Sequence, residues 1–179
     1  MITQTIFEGD DWVTMHEHHW KKVIPNPESV KKVLEIGNYE GRSTRWWASY
    51  CCNAEVISID PSSDIKRRQR LLHNISIHPR ANKIDLRFGL SELELRRFGP
   101  ETMDLIYVDG SHQAKEVLLD GLLCYKILSP GGILIFDDYG MSKTCYDPNG
   151  VSLKTALDAF LEVTKAEVVY KGYQLSVTK

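Results

Sequence analysis

The sequence predicts an α/β fold: a doubly wound, mainly parallel seven-stranded sheet that ends in a C-terminal antiparallel hairpin. Three observations carry this. Five short β-rich runs alternate with four helical patterns between residues 31 and 138. One run, "GGILIFDDYG", is apolar enough to be buried on both faces, as a central parallel strand is. After a last helical stretch come two β-like runs, "AEVVYK" and "YQLSVTK", separated by Gly172.

The elements follow in order. Residues 1–30 form a polar, aromatic lead, read as a partial cap, and residues 31–179 form the main domain. "KKVLEIG" is the first strand and "RSTRWWASYCC" its helix, with Trp46 and Trp47 packing and Cys51 and Cys52 buried near the helix end. "EVISID" is the second strand, and "SSDIKRRQRLLHN" follows as a helix capped by Ser62 or Ser63. "KIDLRFG" is the third, before the short helical "SELELRRF". "MDLIYVD" is the fourth, and "HQAKEVLLDGLLCYKIL" places Val117, Leu118, Leu122 and Tyr125 at helical spacing. "GILIFDD" is the fifth, and "VSLKTALDAFLEVT" is the helix that precedes the hairpin.

Composition narrows the function classes. The 179 residues suit one domain, and 42% hydrophobic with 26% charged residues describe an ordinary globular chain. A formal net charge of −2 argues against a nucleic-acid partner, as does the lack of a [DN]PP[YF] stretch at the fourth strand. No apolar run approaches a membrane span, and the first ten residues lack a signal pattern. Cys51, Cys52, Cys124 and Cys145 show no CxxC spacing, so reduced thiols in a cytoplasmic protein are expected, and zinc is not.

In open parallel sheets, ligands bind beyond the carboxyl ends of the strands. After the first strand, Gly37 and Gly41 let the backbone approach a ligand, although the spacing is not GxGxxG. Asp60, ending the second strand, is placed to accept both ribose hydroxyls. Together they point to an adenosine-containing cofactor, either nicotinamide or S-adenosylmethionine. Asp109 ends the fourth strand and Asp137-Asp138 the fifth, 28 residues and one crossover apart. Carboxylates brought together on neighbouring strands repel unless protonated, paired or bound to a cation. An oxygen-only set suits Mg²⁺ or Mn²⁺. His112, three residues past Asp109, has the chemistry of a base near neutral pH.

"VLEIGNYEGRSTRWWA" with "VISID", "FGLSE", "YVDGSH" and "GGILIFDD" resembles the class I S-adenosylmethionine-dependent methyltransferases, a Rossmann-like family. Within these, it is most similar to the metal-dependent small-molecule O-methyltransferases: the catechol type, with a similar ExGxYxGxS turn, and the macrolide-sugar type, which shares DGSH. The resemblance implies that Glu35, Gly37, Tyr39, Gly41 and Ser43 line the methionine part of the cofactor, that Asp60 holds its ribose, and that Gly89, Leu90, Ser91 and Glu92 meet its adenine. It also implies that Asp109, which touches the cofactor as well, binds the metal with Asp137 and Asp138, and that His112 is the base. The acceptor it implies is a small hydroxylated molecule. The chain departs from the catechol type at Asp138, where those enzymes have Asn, and at Glu92, where they have Gln.

Two other readings stand beside this one: an NAD-dependent oxidoreductase, and a non-catalytic cofactor-binding subunit of a biosynthetic complex. The short lead also favours a homo-oligomer. His16, His18 and His19 lack the i, i+4 spacing of a helical zinc pair and are expected on a polar, partly exposed helix face.

Overall fold

The computed structural model describes residues 4–141 and 149–179. Cys145 therefore lies outside the described residues. Seven strands form one sheet in the order β3-β2-β1-β4-β5-β7-β6. They are β1 (Lys32–Ile36), β2 (Glu55–Ile59), β3 (Ile84–Arg87), β4 (Met103–Val108), β5 (Leu128–Phe136), β6 (Glu167–Lys171) and β7 (Leu175–Thr178). The first five pair in parallel, and β7 runs antiparallel between β5 and β6. This is the doubly wound sheet with a terminal hairpin that the alternation predicts.

Helices cover both faces: α1 (Val13–Val23), α2 (Arg42–Tyr50), α3 (Ile65–Ser76), α4 (Ser91–Glu94), α5 (Ala114–Ile127) and α6 (Leu153–Thr164). One apolar cluster joins α5 and α6 to the sheet through Val117, Cys124, Leu157 and Phe160. On the other face Trp20 of α1 and Trp47 of α2 pack with Val33, Leu105 and Tyr107, all buried. Fully burying such side chains contributes roughly 1.5–3 kcal/mol each. The lead is thus bonded into the same core as the sheet, because Val13, His16, Trp20 and Val23 fall at the i, i+3, i+7 spacing of one helix face.

Two local expectations are corrected. The cap of α3 is Asp64, whose side chain accepts from the Arg67 amide at 2.8 Å. Ser62 instead turns back to the end of β2, its amide and hydroxyl both donating to Asp60 Oδ1. Of the adjacent cysteines only Cys51 is buried; Cys52 is exposed, and Cys51, Cys52 and Cys124 are all free thiols. Among the described residues, no helix is long and apolar enough to cross a membrane.

Candidate active site

The strand register assembles the site. Ile36 pairs with Ile59 on one side and Val108 on the other, and Val108 pairs with Phe136. The next residue of each strand therefore falls in one row: Asp60, Gly37, Asp109 and Asp137. Backbone bonds fix the row, from Gly37 to Ile59 (2.9 Å), Asp109 to Ile36 (2.8 Å) and Asp137 to Val108 (2.9 Å), each amide donating to the carbonyl. A cleft of about 670 Å³ opens over it.

Gly37 has φ +86°, and a Cβ there would lie 1.9 Å from the Asp109 carbonyl oxygen. Only glycine permits β1 and β4 to end this close together. Tyr39 (φ +46°) and Ser43 also line the cleft, with the Arg67 guanidinium 4.8 Å above the Tyr39 ring. Asp60 lines it too, but part of its capacity serves its own turn: Oδ1 accepts from the Ser62 amide and hydroxyl, and Oδ2 accepts from the Asn38 amide at 3.1 Å. One of roughly four lone-pair positions is left over.

Glu35 and Gly41 do not line the cleft. Glu35 is fully buried beneath it and accepts from the hydroxyls of Thr44 and Ser58. Burial pushes its carboxyl up to about 7, against the pull of the Ser43, Thr44 and Ser58 hydroxyls. Gly41 (φ +83°) starts α2, and a Cβ there would strike Leu71. Gly89, Leu90, Ser91 and Glu92 are also outside the cleft lining. Leu90 is exposed and opens α4, and the Ser91 hydroxyl bonds to buried Asp120 on α5.

The acids divide. Donor atoms of Asp109, His112 and Asp138 lie within 4.8 Å of one another. His112 Nε2 is 2.9 Å from Asp138 Oδ2, and the Tyr173 hydroxyl donates to Asp138 Oδ1 at 2.5 Å. Asp138 takes a left-handed backbone conformation (φ +58°), an uncommon one for a residue with a side chain. Asp137 stands outside that group. Its Oδ2 accepts from the Tyr107 hydroxyl (3.0 Å) and its Oδ1 from the Gln174 amide (2.9 Å), with His16 Nε2 at 3.8 Å.

The electrostatics follow. Burial, then Asp137 and Asp138, hold the Asp109 carboxyl well above the usual range. Burial and Asp138 raise Asp137 as well. Burial also pushes Asp138 up, but the hydrogen bonds from His112 and Tyr173 outweigh it and keep this carboxyl low. The same bond to Asp138 raises His112. Without a counter-charge Asp109 is thus pushed toward its neutral form; a cation beside it would stabilise the charged one, so the carboxylates of Asp109 and Asp138 fit a bound hard cation.

The lead forms one wall. Phe7, Trp12 and Met15 border the cleft, and Glu40 ties the lead down by accepting from the Glu8 and Gly9 amides. His16 is buried in that wall, its ring stacked on Tyr173 with centroids 5.7 Å apart. His19 is half-buried and bonds to Ser176, and His18 is exposed, so of the polar, partly exposed face expected of the three only His16 departs. His16, Tyr107, Tyr173 and Gln174 escape a reading confined to strand ends. A signal existed for two of them: His16 falls on the Trp20 stripe, and Tyr107 lies two residues before Asp109, on the same strand face.

A family model described as "Methyltransferase domain" matches residues 34–139. An uncharacterized protein of Acanthamoeba polyphaga mimivirus is 30% identical over 111 residues, 59% of this chain and 50% of that protein, so the match spans half of the curated relative's length. The fold is similar to that of the O-methyltransferase from Bacillus cereus, solved with S-adenosylhomocysteine (18% identity, TM-score 0.71, 97% of this chain and 84% of that one). It is also similar to the MycE methyltransferase of the mycinamycin biosynthetic pathway, solved with Mg and S-adenosylhomocysteine (19% identity, TM-score 0.67, 95% and 51%). A third similar structure is the S-adenosylhomocysteine-bound methyltransferase PaMTH1 of Podospora anserina (20% identity, TM-score 0.70, 87% and 75%).

Proposed function

The chain belongs to this methyltransferase-domain family, and from that membership we propose that it transfers the methyl group of S-adenosylmethionine to a hydroxyl of a small acceptor, with Mg²⁺ or Mn²⁺ at the strand tips. The observation that carries the reading is the convergence of Asp109, His112 and Asp138 within 4.8 Å on the floor of a cleft whose other flank is the Gly37–Tyr39 turn and Asp60. Two carboxylates suit a small hard cation that keeps several waters. A cation held by Asp109 and Asp138 would lower the pKa of the acceptor hydroxyl and fix its position.

The chain's own residues do the rest. The Gly37 turn and Ser43 receive the methionine end of the cofactor, and Asp60 takes a ribose hydroxyl on its remaining lone pair. Cofactor sulfonium and acceptor oxygen are held in line, which contributes much of the rate. His112 takes the hydroxyl proton, and once charged it donates from Nε2 to Asp138 Oδ2. The acceptor oxygen bonds to the methyl carbon as the carbon–sulfur bond breaks, leaving S-adenosylhomocysteine and a methyl ether. The lead is a partial cap: Phe7, Trp12 and Met15 shield the reacting atoms from water. The same reading has the chain working in the cytoplasm, which the free, adjacent thiols of Cys51 and Cys52 support.

Ligand-dependent melting tests this. S-adenosylhomocysteine at about 100 times its Kd is expected to add roughly 2.7 kcal/mol of stability, while NAD⁺ adds nothing. Stabilisation by NAD⁺ instead would replace methyl transfer with hydride chemistry.

A further inference from the structure

Tyr107 stands where two carboxylates share one donor. Its hydroxyl lies 3.0 Å from Asp137 Oδ2 and 3.3 Å from Asp109 Oδ2. A phenol carries one hydrogen, so it cannot serve both at once. Nor can the ring turn away. It is buried, with Trp20 edge-on at 5.2 Å and Trp47 tilted at 5.5 Å.

The remaining hydrogen bonds are distributed unequally. Gln174 is buried, and its carbonyl accepts from Trp20 Nε1 at 2.9 Å, so its amide nitrogen is left pointing at Asp137 Oδ1. Both oxygens of Asp137 therefore have a neutral donor supplied by the core. Asp138 has Tyr173 and His112. Asp109, among the described residues, has only the longer share of the Tyr107 hydroxyl.

We propose that Tyr107 is a positioning residue of the cation site: its hydroxyl holds Asp137 turned toward Gln174 and keeps Asp109 as the carboxylate that faces the cation beside Asp138. This rests on the cation reading above. Tyr107 touches neither cofactor nor acceptor in this role; it acts through the two acids. Without the hydroxyl, Asp109 and Asp137 meet with nothing between them, and their repulsion displaces Asp109 from the geometry it shares with His112 and Asp138. The Trp20–Gln174 bond extends the same support from α1 across the β6–β7 hairpin, so the lead and the C-terminal strands meet at Asp137.

The test is Tyr107→Phe, which keeps the ring and removes one oxygen. Free Mn²⁺ is titrated by its electron paramagnetic resonance signal against chain saturated with S-adenosylhomocysteine, and cofactor affinity is measured separately by calorimetry. The Kd for Mn²⁺ is expected to rise about 10- to 100-fold, as when outer partners of metal ligands are removed, with S-adenosylhomocysteine affinity kept within about twofold. A tyrosine that only packs would leave the Mn²⁺ affinity where it was. Gln174→Met removes the other donor to Asp137 while sparing Tyr107, and it too is expected to weaken Mn²⁺ more than cofactor; it carries the test if Tyr107→Phe loses cofactor binding as well. Unchanged Mn²⁺ binding in the variants overturns the role of Tyr107 and leaves the cation reading in place. Failure of the unsubstituted chain to bind Mn²⁺ overturns both.

Discussion

His112 Nε2 and Asp138 Oδ2 meet at 2.9 Å, just beyond the ends of β4 and β5. In the proposed reaction the pair supplies a base and, beside it, the group that stabilises the base once protonated. His112→Ala is therefore expected to slow methyl transfer by roughly 10²- to 10⁴-fold, the usual contribution of a positioned base. Cofactor binding should survive, because the proposed cofactor contacts lie at the Gly37 turn and Asp60. Labelled methyl transfer to a hydroxylated acceptor that the unsubstituted chain methylates gives the first quantity, and calorimetry with S-adenosylhomocysteine the second. Near-full activity in the variant would make His112 a residue that merely starts the crossover.

Gly37→Ala tests the close approach of β1 and β4. The added methyl would overlap the Asp109 carbonyl at 1.9 Å, on a backbone of φ +86°. A loss on the order of 3 kcal/mol or more is expected, with loss of cofactor binding. Urea unfolding measures the first, and a melting curve with and without S-adenosylhomocysteine the second.

Much of this was legible in the sequence, for a physical reason. Strands buried on both faces, such as "GILIFDD", stand out as continuous apolar runs, and the residue after each must lie at the sheet's carboxyl edge. That logic reaches Gly37, Asp60, Asp109, Asp137 and Asp138, whose places depend on the chain's local order. It does not reach partners set by packing between distant elements. Gln174 meets Asp137 because Leu175 pairs with Phe136 across an antiparallel register that spacing alone does not dictate. His16 was hidden by its neighbours: compared with His18 and His19 it resembles a polar cluster, whereas compared with Val13, Trp20 and Val23 it falls on the buried stripe. Gly89, Leu90 and Ser91 show the opposite case, a strand end that lies outside the cleft lining. β3 is the edge strand, two places from β1, and Ser91 turns to Asp120.

Glu35 predicts a pH effect on stability. Its carboxyl is raised from 4.5 to about 7 in the fold. The folded state therefore holds a proton that the unfolded chain has already released, so stability falls as pH rises from about 4.5 through about 7. Glu35→Gln keeps an oxygen for Thr44 and Ser58 and removes the titration. Relative to this variant, the unsubstituted chain should lose on the order of 3 kcal/mol between pH 5 and pH 8. Urea unfolding of both chains at the two pH values checks it; parallel losses would mean that Glu35 stays ionised in the fold.

Asp109 and Asp138 are proposed to hold a divalent cation at the floor of the cleft. A crystal soaked with S-adenosylhomocysteine and Mn²⁺, with data collected for the anomalous signal of manganese, tests it most directly. The expected result is one anomalous peak within about 2.3 Å of a carboxylate oxygen of Asp109 and of Asp138, with S-adenosylhomocysteine beside the Gly37 turn. S-adenosylhomocysteine in the cleft with no such peak between Asp109 and Asp138 would contradict it.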